Sequence, residues 1–144
     1  TARGLIIGIT RGTTKQHIIR ASLEATAYQV ADVLRCMGHD AKQPISELRV
    51  DGGASINNFL MQYQADVLGL PVIRPKNIET TALGAAFLAG LAADVWTSRD
   101  ELESLWVPDH SFTPQMPPHV RKRALHQWTN AITRAKGWTL GETY

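Results

Sequence analysis

The segment Leu48-Arg49-Val50-Asp51-Gly52-Gly53-Ala54-Ser55-Ile56-Asn57-Asn58 runs from an extended apolar stretch through two glycines into a helix. Glycine accepts positive φ and, having no Cβ, lets a second group approach its backbone closely. A helix that begins just beyond offers unpaired N–H groups and the positive end of its dipole, a setting that suits an anionic or polar ligand. In α/β sheets ligands bind outside the carboxyl ends of the strands, which is where this turn falls, and Asn57 can face that crevice from the first helical turn. Two glycines alone, however, describe a plain strand–helix turn with Asn57 or Ser55 as its N-cap better than they describe a binding site.

A second segment, Glu79-Thr80-Thr81-Ala82-Leu83-Gly84-Ala85-Ala86-Phe87-Leu88-Ala89-Gly90, carries small residues at 82, 86 and 90 and at 85 and 89. Thr80 is a good N-cap. A face of small side chains allows either tight internal packing or a helix crossing beside a ligand or hinge, and composition leaves both open. Other chemistry is poorly supported. Gly8-Ile9-Thr10-Arg11-Gly12-Thr13-Thr14-Lys15 has the wrong glycine spacing for a phosphate loop and no Gly-Lys-Ser/Thr. His17, His39, His110, His119 and His126 do not form a metal-ligand pattern. The serines lack the strand–turn–helix context of a nucleophile elbow. Cys36 falls late in an amphipathic helix and reads as packing.

The elements that must position these residues follow from periodicity. Gly4–Thr10 is an apolar β-branched run and reads as a strand. Thr13 and Gln16 have capping-box spacing, and apolar residues at Ile19, Leu23, Val30, Val33, Leu34 and Met37 predict a helix over about 14–37, stopped by Gly38. A polar loop over 40–44 follows. Glu47–Val50 and Pro71–Arg74 read as strands; 56–68 and 80–94 read as helices, the first stopped by Gly69. A helical turn is expected near 99–105. Residues 107–118 hold four of the seven prolines and are expected to form a surface loop. An amphipathic helix over 118–136 shows Val120, Leu125, Trp128 and Ile132 near one face, and 137–144 is expected to fray. Alternating strands and helices predict an α/β fold with short, mostly parallel strands flanked by helices. Three short strands make a thin sheet for this length, so part of a larger sheet is expected to lie elsewhere.

The chain has 144 residues, one domain's worth, with 44% hydrophobic and 19% charged residues, which excludes a disordered chain. At this length a single substantial core is expected. A single cysteine excludes an internal disulfide and fits a reducing compartment. Fifteen basic against 13 acidic residues give a net charge of +2, too little to imply nucleic acid. The basic run from Arg121 to Lys136 reads as a solvated helix face. The longest apolar run, 82–93, is too short to span a bilayer. No secretory signal is visible, and no initiator Met is present, so the chain reads as a fragment.

Several motifs resemble the FGGY carbohydrate kinase family. Gly4-x-Ile6-x-Gly8-Ile9, followed after seven residues by His17-Ile18-x-x-Ala21-Ser22-Leu23-Glu24, resembles the family's second signature. Arg49-Val50-Asp51-Gly52-Gly53-Ala54 with Asn57-Asn58-Phe59-Leu60-Met61-Gln62 resembles its glycerol-phosphorylating members in particular, and Glu79–Ala86 also fits. The resemblance covers about 2–96 well and the last helix loosely. It implies a partial RNase-H-like C-terminal kinase domain of the actin and hexokinase type, spanning 1–144. It further implies that Asp51-Gly52-Gly53 is an adenosine motif. Gly53 would then admit the nucleotide to its backbone, Gly52 and Ala54 would shape the turn, and Asn57 would hydrogen-bond the nucleotide. The helix from Thr80 would be an interdomain connector.

The implied reaction is ATP- and Mg²⁺-dependent transfer of the γ-phosphoryl to glycerol, giving glycerol 3-phosphate, in a cytoplasmic enzyme expected to be a homo-oligomer at full length. The family's phosphate loop, acceptor pocket and catalytic Asp have no counterpart in this sequence. No residue is therefore assigned a catalytic or metal-binding role, and the chain alone is expected to be inactive. Asp51 is read as an anchor of the turn. The alternatives are another FGGY sugar or polyol kinase, or a noncatalytic binding module that associates through its sheet edge.

Overall fold

The computed structural model describes residues 2–138. Helix α1 covers Lys15–Ala41, β1 Leu48–Arg49, α2 Asn58–Leu68, β2 Val72–Pro75, α3 Thr80–Ala92, α4 Arg99–Ser104, β3 Pro108–Phe112 and α5 Pro118–Ala135, with a 3₁₀ turn at Gly53–Ile56. The sheet order is β1-β2-β3, with β1 and β2 parallel and β2 and β3 antiparallel.

Four expectations change. Gly4–Thr10 is not a strand: no partner strand lies beside it among the described residues, and Leu5, Ile6, Ile7 and Ile9 are all exposed. The third strand comes instead from the proline-rich stretch 107–118, where β3 pairs Phe112 with Val72 and Ser111 with Ile73. Pro108 stands at the first position of this edge strand, where its missing N–H costs no ladder bond. Helix α1 passes through Gly38 and ends at Lys42, which takes the left-handed cap conformation with φ 52°. Its start is one residue later than the sequence pattern implied: Thr14 is the N-cap, and His17 Nδ1 accepts from the Thr14 N–H at 3.1 Å, while Thr13 closes the preceding turn with Thr10. The expectation for the last residues falls mostly outside the described ones, since only Gly137 and Trp138 of that stretch are described, and neither is helical.

The core is small. Ala27 of α1, Leu60, Met61 and Ala65 of α2, Val72 of β2 and Phe112 of β3 form it, with Leu48, Val50, Tyr63 and Leu68 packed around them. Three aromatic side chains join α1, α2 and α5. The Tyr28 and Tyr63 hydroxyls lie 2.6 Å apart, Tyr28 stacks on Trp128 at 5.2 Å, and the Trp128 indole donates to Asp32 at 2.7 Å. Burial pushes both phenols above their usual range.

Only part of α1's apolar surface is covered. Ala27 is buried, but Ile19, Val33 and Met37 are 51–58% exposed, and Cys36 is exposed rather than packed. The total accessible surface is 10651 Å², against about 7,300 Å² for a compact monomer of this mass. The expected single substantial core is therefore only partly built, and helix α3 with 4–9 supplies much of the uncovered apolar area.

Gly69 ends α2 as expected, with φ 70° and its N–H on Ala65 O at 2.8 Å. A Cβ there would both sit in the left-handed region and overlap the Arg121 guanidinium of α5. Gly69→Ala is accordingly expected to destabilise the protein by about 1–2 kcal/mol, read as a lower urea midpoint with an unchanged slope. A midpoint equal to that of the parent sequence would show that neither the left-handed backbone at Gly69 nor the Arg121 contact constrains this turn.

Candidate functional site

The glycine turn begins where β1 leaves the sheet. Val50 N–H donates to Ile73 O at 3.0 Å, and two residues later Gly52 N–H donates to Ile78 O at 2.9 Å, so the turn is stitched to the segment following β2. Gly52 takes φ 73° and ψ 175°, a conformation open to glycine. The positive φ thus lies at Gly52; Gly53 has none. Added Cβ atoms at Gly52 and Gly53 would meet nothing within 4 Å, so the surface above both is open. Ala54 and Asn57 are exposed beside them.

Three side chains hold the turn in shape. Ser55 is 1% exposed and its hydroxyl donates to Gly52 O at 2.7 Å, so it is a buried brace and not the helix cap. Asn57 is the N-cap of α2, its Oδ1 accepting from Leu60 N–H at 3.1 Å. The side-chain amide of Asn57 has no hydrogen bond among the described residues, so capping and ligand contact are compatible. Thr80 is the first residue of α3 and not its cap, which is Glu79; the Thr80 hydroxyl donates to Asp51. Asp51 therefore ties the end of β1 to the start of α3, the anchoring role expected of it.

The small-residue face of α3 divides in two. Gly90 is buried because the Trp96 ring lies on it, with Phe87 edge-on to Trp96 at 5.2 Å. Ala82, Ala85, Ala86 and Ala89 are exposed.

Arg74 and Asp109 were not singled out by sequence. Arg74 of β2 is 14% exposed and reaches the turn: its Nη1 donates to Ser55 O at 2.9 Å and to Asn58 Oδ1 at 2.9 Å, while Nε and Nη2 donate to Asp109 Oδ2 at 3.1 and 2.9 Å. The only sequence signal was a cation on an otherwise apolar strand. Asp109 lay in the stretch read as a loop. A shallow cavity of about 410 Å³ lined by Ile56, Asn58, Arg74, Lys76, Ile78 and Asp109 flanks the turn. A larger groove of about 560 Å³ lies between α1, α2 and α5 and shares no residue with the turn.

Asp66 Oδ1 accepts from Gln62 and from the Gln115 and Met116 N–H groups, pinning the loop after β3. Among the described residues no three acidic, histidine or cysteine side chains cluster to hold a metal.

The chain as a whole is similar to known proteins. Residues 1–93 match the C-terminal domain of the FGGY family of carbohydrate kinases. The chain is 56% identical over 137 residues to a glycerol kinase of Deinococcus radiodurans and to glycerol kinase 2 of Thermotoga maritima, covering 95% of this chain in each case. It spans 27% and 28% of the length of those two relatives. A crystal structure of Plasmodium falciparum glycerol kinase with ADP superposes with a TM-score of 0.83 at 34% identity, over 96% of this chain and 28% of that one. A ligand-bound xylulose kinase of Lactobacillus acidophilus shares the fold with a TM-score of 0.77 at 23% identity, over 99% of this chain and 29% of that one.

Proposed function

The chain belongs to the FGGY family of carbohydrate kinases, its residues 1–93 matching the family's C-terminal domain, and on that premise we propose that it forms the adenine-nucleotide side of a glycerol kinase. The observation that carries the proposal is the open turn at the carboxyl end of β1. Gly52 bends the backbone and, among the described residues, no atom lies over Gly53 and none accepts from the Asn57 side-chain amide. Gly52, Gly53, Ala54 and Asn57 are the residues we assign to ATP or ADP. The absence of a Cβ at Gly53 lets the nucleoside lie against the backbone, and Asn57 donates to it without giving up its cap.

In the complete enzyme ATP would give its γ-phosphoryl to a terminal hydroxyl of glycerol. Such a transfer depends on in-line positioning, a base for the hydroxyl and charge neutralisation at the phosphates. We assign Mg²⁺ to the ATP phosphates, where it supplies that neutralisation, and to no residue of this chain. The relatives' names and the ADP in the Plasmodium structure support this reading. The proposal extends to a cytoplasmic homo-oligomer at full length. No helix among the described residues is long and apolar enough to cross a membrane.

The chain carries one half of a nucleotide site, so its own affinity for ADP is expected to be about 1 mM or weaker, roughly −4 kcal/mol or less favourable. Titration of the ¹⁵N-labelled chain with ADP should move the amide resonances of Gly52, Gly53, Ala54 and Asn57 first. Shifts confined to other residues, or nanomolar affinity, would refute the half-site assignment.

A further inference from the structure

We propose that Arg74 is a positioning residue for nucleotide binding, acting through the shape of the glycine turn; the inference rests on the nucleotide reading above. Within the turn Ser55 N–H donates to Gly52 O and Asn57 N–H to Ala54 O, whereas among the described residues Ser55 O and Ile56 O accept from no backbone N–H. Arg74 supplies the missing donors. One nitrogen of its guanidinium serves Ser55 O, Asn58 Oδ1 and, at 3.5 Å, Ile56 O. The other two close on a single oxygen of Asp109, and Cζ lies 5.5 Å from the Phe112 ring centre. One side chain thus joins β2, β3, the 3₁₀ turn and the first residue of α2.

Only a guanidinium can do this. Its donors are fixed in one plane and point along separate edges, whereas an ammonium is a point charge with no such fork. The Ser55 and Ile56 carbonyls lie one and two peptides beyond Ala54, and Asn57 follows immediately. Fixing them sets where the exposed backbone of Gly53 and Ala54 stands relative to the Asn57 amide. Without Arg74 the turn samples other shapes, and nucleotide binding must supply the ordering. The cost is expected to fall on ATP affinity and to spare the chemical step, because the hydrogen bonds of Arg74 go to Ser55, Ile56, Asn58 and Asp109.

The test is steady-state kinetics in the complete kinase chain containing this domain. Arg74→Met and Arg74→Lys are each expected to raise KM for ATP about 10-fold, with kcat and KM for the acceptor changed less than about 2-fold. In Arg74→Ala, millimolar methylguanidinium should lower KM for ATP again, and methylammonium should not. If Arg74→Met fails to fold, Asp109→Asn, which loosens the guanidinium while leaving it in place, should raise KM for ATP about 3-fold. An unchanged KM for ATP in these variants, or a fall in kcat as large as the rise in KM, overturns the proposal while a raised KM in Gly53→Val leaves the site itself standing. An unchanged KM in Gly53→Val as well would sink the nucleotide reading on which it rests.

Discussion

Incubated with glycerol, ATP and Mg²⁺, the purified 144-residue chain is expected to produce glycerol 3-phosphate at no more than the background rate in a coupled assay. Phosphoryl transfer requires the acceptor hydroxyl, its base and the γ-phosphate in line, and losing a general base alone costs roughly 10²–10⁴-fold. The carboxylates beside the turn are already committed to structure: Asp51 accepts from Thr80, and Asp109 accepts from Arg74. Asp66, farther along α2, holds the Gln115 and Met116 N–H groups. The relatives are more than three times as long as the segment this chain covers, and the proposal places base and acceptor pocket in the remainder. Reproducible turnover by the chain alone, abolished by Asp51→Asn, would overturn both the half-site assignment and the anchoring role of Asp51.

In the complete kinase, Gly53→Val is expected to raise KM for ATP by about 30-fold or more, equivalent to at least ~2 kcal/mol of binding, with little loss of thermal stability. The two effects separate because of where the positive φ lies. Gly53 has an ordinary φ and open space above it, so a valine there is accommodated by the protein and collides with the ligand. Gly52→Val should lose stability as well, because its φ of 73° resists a β-branched side chain. Ser55→Ala should leave KM for ATP within about 3-fold. It removes the buried hydroxyl bond to Gly52 O but keeps the Ser55 N–H bond to the same oxygen at 3.1 Å. An unaltered KM for ATP in Gly53→Val would remove the site assignment.

Ile6, Ile9, Val33, Met37 and Leu88 are 55–71% exposed, an arrangement that a compact domain of this size avoids.

The elements that repeat at short range could be read from the order of residues. The 3.6-residue spacing in α1, α2 and α5, the Gly69 stop and the small-residue run of α3 each express a local periodicity or a local backbone constraint, so the structure keeps them with shifts of a few residues at α1. The glycine turn and Asn57 were legible for the same reason: strand, two glycines and helix are contiguous. Pairing was not legible, because it depends on what lies alongside. The apolar β-branched run 4–10 has strand character but no neighbour among the described residues, whereas Pro108-Asp109-His110-Ser111-Phe112 has little strand character and becomes β3 because Val72 and Ile73 offer it an open edge. Tertiary structure also decided which glycine carries the positive φ. Two adjacent glycines are equivalent in sequence, and only the bond from Gly52 N–H to Ile78 O and the Ser55 brace on Gly52 O choose between them. Arg74 illustrates the same limit most fully. Its guanidinium serves groups 16–35 residues away in the chain, and no local pattern records a hydrogen bond whose partners meet only when the sheet and the turn have folded together.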